Sequence, residues 1–475
     1  MKKKLYINGE WIESEEYADL FSPYSGEKIA EVPQASEAQV DAAIDAAYNT
    51  KEVMEGLTSH EKSEILNNLV RLLVENKLEV AKLISLESAK PLKFSLDEVE
   101  RTIETYQFSA EEAKRLHGEM VPLDAAKNGE NRLGYTVKEP IGVVAAITPF
   151  NFPMNLVAHK VGPAIAAGNT IVLKPASQTP LSAYILAEML EEAGVPKGAF
   201  NLITGSGKRV GERLVNNDKV KMITFTGSPE VGIGIRKKAG LKKVALELGS
   251  NAGLIIDENV DLEQIVPRCV TGAFSNQGQV CISLQRIYIM ENLLNEFMEK
   301  FKSEAENLVL GDPLNVGTDL STLISKGETE RAKGWIDEAI KEGARVITGG
   351  EVVNNILLPT ILVDVDESSK VSCQEVFAPV VIVQPIKSVD EGIEFINNSR
   401  FGLQAGIFTN DIHTAFRSSK QLEVGGVMIN DIPTYRVDQM PYGGIKESGN
   451  VREGIKYTLE EMTELKLVVW NQTIS

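Results

Sequence analysis

Residue types that bind metals or form disulfide bonds are scarce in this chain. Its 475 residues include 3 cysteines and 4 histidines, and their spacing matches neither a Cys-x-x-Cys pair nor a zinc pattern. We therefore expect no metal site. The odd number of cysteines, and the lack of an apolar run after the basic start Met1–Lys4, favour a protein of the reducing cytoplasm.

Positive charge is in deficit as well, since 49 Lys and Arg face 67 Asp and Glu, for a net charge of −18. This acidity disfavours partners that are nucleic acids or anionic membranes. Long apolar runs are also missing. The most apolar stretch, residues 141–173, is interrupted by three prolines and by His159 and Lys160. We expect it to be buried protein and not a membrane span.

A chain of 475 residues is too long for one hydrophobic core, so two or three domains are expected. Near the start, Ser36–Gln39 reads as a capping box before a helix with Val40 and Ile44 on one face. Residues 61–116 have the pattern of long amphipathic helices.

From residue 141 onward, short apolar runs alternate with polar helical stretches. The runs are residues 143–147, 171–174, 200–203, 222–225 and 243–246. This series predicts an α/β fold with a parallel sheet and helices on both faces. Thr179 should cap one of the helices, with Pro180 in its first position and an end near Gly194.

A second strand–helix series covers residues 253–429. Near the carboxyl end, residues 464–470 alternate between apolar and polar side chains, which is typical of a strand. We expect this strand to extend the sheet of a partner subunit.

Cys281 is the cysteine best placed for chemistry, because a polar, Gly-containing loop precedes it. Cys269 lies in an apolar helical stretch, as buried structural thiols do. Upstream, Glu247 follows an apolar run. A thiol can attack a carbonyl, and a carboxylate can then activate water. Taken singly, a lone cysteine is more often a core residue, and a glutamate at a strand end is usually a surface carboxylate.

Two glycine segments are candidates for binding a dinucleotide. Gly205–Gly211 departs by one residue from the G-x-G-x-x-G fingerprint, so we treat it as a weak match. Phe225–Gly232 follows a strand and opens a helix at Pro229, and there Ser228 and backbone amides could hold a pyrophosphate. An ordinary turn before a capped helix fits the second segment equally well.

Three segments together resemble the aldehyde dehydrogenase superfamily: Thr148–Pro153, Leu246–Gly249 and Ser275–Cys281. The resemblance runs essentially end to end. It implies an α/β, aldehyde dehydrogenase-like fold with a Rossmann-type cofactor domain, an α/β catalytic domain and a small β bridging arm. The expected ranges are 1–118 with 140–249, then 250–452, and for the arm 119–139 with 453–475. Homodimers or homotetramers are usual in this family.

By the same resemblance, Cys281 attacks an aldehyde and passes through a thiohemiacetal and a thioacyl intermediate. The Asn151 side chain and the Cys281 backbone N–H stabilise the oxyanion, and Glu247 activates the water that releases a carboxylate. Coenzyme-A-acylating members generally lack a base at this position, so Glu247 disfavours that alternative. One departure is Ser250, where the family usually has glycine.

The resemblance also assigns cofactor contacts to residues in several segments. They are Thr148, Pro149, Phe150, Lys174, Ala176, Ser177, Gly207, Gly227, Ser228, Leu248, Glu375 and Phe377. Relatives specific for NAD often have Glu at the position of Ser177, where its carboxylate would repel a 2′-phosphate. We therefore expect NADP to be accepted and preferred over NAD.

Three further segments, residues 110–119, 402–411 and 421–427, resemble the lactaldehyde and non-phosphorylating glyceraldehyde-3-phosphate dehydrogenases. Arg101 and Arg436 match arginines that hold the substrate phosphate in the second group. A third arginine of that set is Val280 here, which argues against glyceraldehyde 3-phosphate as the main substrate. We expect a short 2-hydroxy or anionic aldehyde, although Arg101 could equally form a helical pair with Asp97.

Overall fold

The computed structural model describes residues 1–473, and its amino-terminal part joins short strands to long helices. The strands are β1 (Leu5–Ile7), β2 (Glu10–Ile12), β3 (Glu16–Phe21) and β4 (Lys28–Gln34). The helices are α1 (Glu37–Gly56), α2 (Ser59–Glu75), α3 (Lys77–Ser88) and α4 (Leu92–Glu112). The predicted capping box of Ser36 and Gln39 is confirmed, and Val40 and Ile44 on α1 are fully buried.

The next part of the chain alternates strands and helices as predicted. Its elements are β5 (Met120–Val121), β6 (Arg132–Pro140), β7 (Val143–Ile147), α5 (Asn155–Ala167), β8 (Thr170–Lys174), α6 (Leu181–Ala193), β9 (Phe200–Leu202), α7 (Glu212–Asn216), β10 (Val220–Thr226), α8 (Pro229–Lys238) and β11 (Lys243–Glu247). The first sheet has the order β11-β10-β7-β8-β9-β1-β2. The strands from β11 to β9 run parallel, whereas β1 and β2 join the edge as an antiparallel hairpin.

Helices cover both faces of this sheet. Along β7, Val144 and Ala146 pack into a core with residues of α2 to α6. Val143 and Ala145 pack into the opposite core with residues of α1, α7 and α8. Because side chains alternate between the faces of a strand, a strand that is buried on both sides is apolar throughout. The apolar run of residues 143–147 predicted β7 for this reason.

The start of α6 differs from the prediction. Thr179 does not cap the helix, since its hydroxyl donates to the Phe150 carbonyl at 3.3 Å. The cap comes from α3, where the Glu87 carboxylate accepts from the backbone amides of Leu181 at 2.6 Å and Ser182 at 3.1 Å. A buried carboxylate aimed at two free amides satisfies the helix start better than a threonine hydroxyl. The predicted end is confirmed, with Gly194 in the left-handed conformation.

The second strand–helix series is also confirmed. Its elements are β12 (Gly253–Ile256), α9 (Leu262–Phe274), β13 (Arg286–Met290), α10 (Leu294–Glu306), α11 (Lys326–Lys341), β14 (Arg345–Thr348), β15 (Val352–Val353), β16 (Ile356–Leu357), β17 (Thr360–Val363), α12 (Lys370–Cys373), β18 (Val380–Ile386), α13 (Val389–Asn397), β19 (Phe401–Gly402), β20 (Gln404–Phe408), α14 (Ile412–Gln421), β21 (Gly426–Ile429), β22 (Ile445–Lys446), α15 (Ile455–Glu461) and β23 (Thr463–Asn471). The second sheet has the order β14-β17-β18-β13-β12-β20-β21, and only the β14–β17 pairing within it is antiparallel.

The tail strand β23 pairs along its whole length with β6, which also pairs with β5. This small antiparallel sheet leaves one side of β23 as an edge. Leu465, Leu467, Val469 and Trp470 on this strand are exposed. The preceding residues Leu459 and Met462 instead belong to the core beneath the first sheet. None of the helices within residues 1–473 is long and apolar enough to span a membrane.

Candidate active site

The loop before Cys281 has an unusual backbone. Asn276, Gln277 and Gly278 have φ values of 49°, 56° and 69°, which places three successive residues in the left-handed region. A Cβ on Gly278 would lie 2.2 Å from the Ala378 carbonyl oxygen, so only glycine fits there. Such a backbone costs free energy and persists only where surrounding contacts hold it.

Those contacts come from side chains of the loop. The Gln277 amide donates to the carbonyls of Ala89 at 2.8 Å and Thr322 at 2.9 Å. The Gln279 Oε1 accepts from the Ile324 amide at 3.0 Å. The loop therefore forms hydrogen bonds with parts of the chain that are distant in sequence, and these bonds fix the position of Cys281.

Cys281 is partly exposed, and its Sγ lies 2.8 Å from the Tyr442 hydroxyl oxygen. Burial raises the pKa of the thiol to about 11, although the Tyr442 hydrogen bond and the Arg436 charge act in the opposite direction. The other thiol in question, Cys269, is fully buried in α9, as predicted for a core residue.

Asn151 lies in the loop after β7 and contacts the loop that precedes Cys281. Its Nδ2 donates to the Gln279 carbonyl at 2.9 Å, and its Oδ1 is buried without a hydrogen-bond partner. Asn276 reaches back, with its Nδ2 3.3 Å from the Asn151 carbonyl oxygen. Since a primary amide carries two N–H groups, one of them is left to donate to a developing oxyanion.

Glu247 ends β11 and is buried, with 4% of its surface exposed, so it is not a surface carboxylate. Neither of its carboxylate oxygens has a hydrogen-bond partner among residues 1–473. Burial raises its pKa well above the ordinary value, and the neighbouring Glu453 charge adds to this effect. A carboxyl group in this environment is a stronger base once it loses its proton.

A buried charge cluster surrounds Glu247 and Tyr442. Glu453 accepts from Lys160 Nζ at 3.0 Å and from Arg436 Nη2 at 3.2 Å. Burial alone would raise the pKa of Glu453, but Lys160, His159 and Arg436 outweigh burial and lower it to about 2. Glu453 is therefore ionised at neutral pH and repels a second negative charge on Glu247.

Two adjoining cavities of about 560 and 680 Å³ form a groove across the site. They share Pro149, Phe150, Thr226, Gly227 and Ser228. Cys281, Asn151, Leu248, Glu375 and Phe377 line the first cavity. Thr148, Lys174, Ala176, Ser177 and Gly207 line the second. Every residue expected to bind the cofactor thus lines one groove that ends at Cys281.

In the second cavity, Lys174 is buried and its Nζ donates to the Pro175 carbonyl at 3.1 Å. Burial lowers its pKa to about 8. No carboxylate within residues 1–473 forms an ion pair with it, which leaves donors for ligand hydroxyl or phosphate oxygens. The exposed Lys208 lines the same cavity as Ser177.

The predicted helix start at Ser228 is confirmed. The Ser228 hydroxyl caps α8 by accepting from the Val231 amide at 3.4 Å, and Pro229 occupies the first turn. Because this helix end points into the groove shared by the two cavities, its free amides suit an anionic pyrophosphate. Gly205–Gly211, the weaker candidate, forms a short π-helical turn whose Gly207 lines the second cavity.

Glu375 and Phe377 line the first cavity. Glu375 accepts from the Ser250 amide at 2.9 Å, and burial raises its pKa to about 7. The Phe377 ring meets the Phe150 ring edge to face, with centroids 5.7 Å apart. These groups leave an acceptor and an aromatic wall for the ribose and the ring of a nicotinamide.

Arg101 contacts Asp438, and Arg436 contacts His159 and Glu453, all in one buried polar cluster. Neither arginine is among the described residues that line the two cavities. The expected helical pair of Arg101 with Asp97 is wrong: Arg101 instead forms a two-pronged pair with Asp438, at 3.0 and 2.8 Å. A planar fork matches a carboxylate that is 1% exposed better than a flexible surface pair does. The His159 Nε2 lies 2.8 Å from Asp438 Oδ1 and 3.2 Å from Arg436 Nη2. A protonated Nε2 donates to the Asp438 carboxylate, whereas an unprotonated Nε2 accepts from Arg436.

Several residues of this site were not predicted as functional: His159, Lys160, Asp438, Tyr442 and Glu453. The first two interrupt an apolar run with charge-bearing side chains, which is a signal of a buried polar partner. Among residues 1–473, no group of three or more His, Cys, Asp or Glu residues could hold a metal ion.

Comparisons with known proteins agree with this geometry. Residues 11–468 match the model of the aldehyde dehydrogenase family. The chain is 47% identical over 471 residues to a 3-sulfolactaldehyde dehydrogenase of Priestia aryabhattai, covering 98% of both chains. It is 42% identical over 469 residues to a lactaldehyde dehydrogenase of Methanococcus maripaludis, covering 98% of this chain and 99% of the other.

A solved structure shows the same fold. The glyceraldehyde-3-phosphate dehydrogenase GapN of Methanocaldococcus jannaschii, complexed with NADP, has a TM-score of 0.93 and 41% identity, covering 96% of this chain and all of the other. The predicted fold and branch are therefore confirmed. The chain belongs to the aldehyde dehydrogenase family and is an NAD(P)-dependent aldehyde dehydrogenase, similar to the lactaldehyde and non-phosphorylating glyceraldehyde-3-phosphate dehydrogenases.

Proposed function

We propose that the chain oxidises a short 2-hydroxy aldehyde with an anionic end, of the 3-sulfolactaldehyde type, to its carboxylate, with NADP as the preferred cofactor. The observation that carries this proposal is the single groove that runs from Lys174 and Ser177 to the Cys281 sulfur. A dinucleotide bound along this groove could extend from Lys174 and Ser177 to the Cys281 sulfur, where its nicotinamide would accept the hydride.

In the proposed reaction, the Cys281 thiolate attacks the aldehyde carbon, and the Asn151 amide and the Cys281 backbone N–H stabilise the oxyanion. The bound nicotinamide supplies a hydride acceptor, which leaves the acyl group on the Cys281 sulfur. Glu247 takes a proton from water, and the resulting hydroxide releases the carboxylate. The buried, unpartnered carboxylate of Glu247 supports this role.

Cys281→Ser should lose at least about 10³-fold in kcat, because an alcohol is a far weaker nucleophile than a thiolate at neutral pH. Glu247→Gln should still form one equivalent of NADPH per subunit but turn over slowly. We would measure the burst and the steady rate of NADPH formation with and without coenzyme A. Steady turnover that requires coenzyme A would favour the acylating alternative, and an active Cys281→Ser would remove the mechanism.

The preference for NADP follows from the cationic character of the second cavity. Ser177 carries no charge to repel a 2′-phosphate, and Lys174, Lys208 and Lys238 line the same cavity. Lys238 is partly neutralised by Glu212 at 2.8 Å. The NADP bound in the structure of the M. jannaschii relative supports the same choice.

Ser177→Glu should shift the preference toward NAD by at least about tenfold in kcat/KM, because a carboxylate bonds the free ribose hydroxyls and repels the phosphate. Steady-state kinetics with both cofactors would measure this ratio. Gln178→Glu, one residue further along the same exposed turn, controls for a general effect of added charge. A parental enzyme that strongly prefers NAD would contradict the proposal.

The substrate class is supported by the relatives, whose names include sulfolactaldehyde and lactaldehyde. Arg101 keeps about a quarter of its side chain exposed, and Arg436 retains donors that no acceptor within residues 1–473 uses. Guanidinium groups suit the oxygens of sulfonate and phosphate.

Arg101→Ala should raise KM for 3-sulfolactaldehyde by about tenfold, the loss expected for one charge-assisted hydrogen bond, and leave KM for propanal unchanged. Arg101→Lys should recover part of the loss, since it keeps the charge without the fork. Arg115→Ala, in the exposed turn that follows α4, is the control. Equal effects on the charged and uncharged aldehydes would count against a substrate role.

We further propose a cytoplasmic homo-oligomer in which β23 extends the sheet of a partner subunit. The exposed apolar side chains of Leu465, Leu467 and Val469 and the free strand edge support this. Leu467→Lys should shift the sedimentation coefficient toward that of a monomer, with Leu241→Lys, on an exposed loop, as the control. A parental chain that sediments as a monomer would contradict it.

The free cysteines support a reducing compartment, which cell fractionation would test.

A further inference from the structure

The hydroxyl of Tyr442 has one hydrogen-bond partner within residues 1–473, and that partner is the sulfur of Cys281 at 2.8 Å. Tyr442 is 2% exposed and packs with Val280, Ile282 and Leu403. A phenylalanine would fill the same space among these apolar groups. The oxygen therefore contributes nothing to the packing and is free to act on the sulfur.

Arg436 holds the ring of Tyr442 in place from the other side. Its guanidinium carbon lies 3.7 Å from the centre of the ring. A cation against an aromatic face stabilises the ring's position and draws electron density from it, which strengthens the hydroxyl as a donor. Burial, with the nearby Cys281 and Glu247, raises the pKa of Tyr442 well above its ordinary value. The phenol therefore keeps its proton and can donate a hydrogen bond.

We propose that Tyr442 is a catalytic residue whose hydroxyl donates a hydrogen bond to the Cys281 sulfur and stabilises its thiolate form. The proposal rests on the proposed role of Cys281. In the attack, a C–S bond forms and the carbonyl electron pair moves to oxygen. In the release, that C–S bond breaks and sulfur keeps the pair. Tyr442 retains its own proton in both steps and favours the state in which sulfur carries charge.

The charges around the sulfur make such a donor necessary. Arg436 favours the thiolate, whereas Glu375 and Glu247 oppose it, and burial opposes it most strongly. A hydrogen bond that increases the thiolate fraction also makes the sulfur somewhat less nucleophilic. For each unit by which the thiol pKa falls, the nucleophilicity of the thiolate falls by only about half a log unit. The gain in the thiolate fraction therefore exceeds the loss of nucleophilicity.

The direct test is the pH dependence of Cys281 alkylation by iodoacetamide, followed on the Cys281 peptide by mass spectrometry. Tyr442→Phe should raise the midpoint by about one pH unit and slow alkylation about tenfold below it, because one hydrogen bond to a charged sulfur is lost. The Cys373 peptide of the same sample is the internal reference, since this thiol lies outside the groove.

Tyr106→Phe is the matched control. Tyr106 is also buried, and in the described part of the chain, residues 1–473, its hydroxyl has no hydrogen-bond partner. Loss of this hydroxyl should therefore change neither the alkylation profile nor kcat. Thermal unfolding of both variants checks that the fold is retained. With an aldehyde substrate, Tyr442→Phe should lower kcat and change KM by less than twofold or so.

An alkylation profile of Cys281 that is identical in the parental chain and in Tyr442→Phe would overturn the proposal, whatever the activity. Failure of the proposed function gives a different result: Cys281→Ser would then oxidise aldehydes, while the alkylation profile still reported whether Tyr442 acts on the sulfur.

Discussion

The buried ion pair between Lys160 and Glu453 is the interaction on which the rest of the site depends. It joins helix α5, beneath the first sheet, to the segment that precedes α15. Removing two charges from water is costly, and the cost is offset here because Arg436 adds a second cation to the same carboxylate. The negative charge on Glu453 adds to burial in raising the pKa of Glu247, and Arg436 packs against the ring of Tyr442.

Close backbone packing connects this ion pair to Glu247 and Tyr442. A Cβ on Gly443 would lie 2.2 Å from the Val451 carbonyl oxygen and 2.8 Å from Glu247 Oε1. Glycine at this position lets the segment that bears Tyr442 lie directly against the carboxylate. The loop before Cys281 is held by a separate set of contacts, those of Gln277 with Ala89 and Thr322. The sulfur and the carboxylate are therefore positioned by separate sets of contacts that meet at Tyr442.

The sequence predicted what depends on neighbours along the chain. Apolar runs marked the parallel strands, Ser36 and Ser228 marked helix starts, and the motifs marked the groove. It did not predict partners that are distant in sequence. Thr179 has the pattern of a cap, but the acceptor comes from Glu87, and Arg101 prefers Asp438 to its helical neighbour Asp97. A local pattern cannot predict these partners, because burial decides between a local bond and a distant, better-oriented one.

The proposed chemistry also needs Cys281 and Glu247 to be ionised at different times, and their burial provides for this. Burial raises the pKa of both groups; a negative charge on Glu247 adds to the rise for Cys281, and the charge on Glu453 adds to the rise for Glu247. While the sulfur is a thiolate, the favourable state of Glu247 is the protonated one, so it does not compete as a base. Once the acyl group is on the sulfur, that charge is gone and Glu247 loses its proton more readily. In the proposed chemistry, two acidic groups in one low-dielectric space thus favour a protonated Glu247 during attack and an ionised Glu247 during hydrolysis.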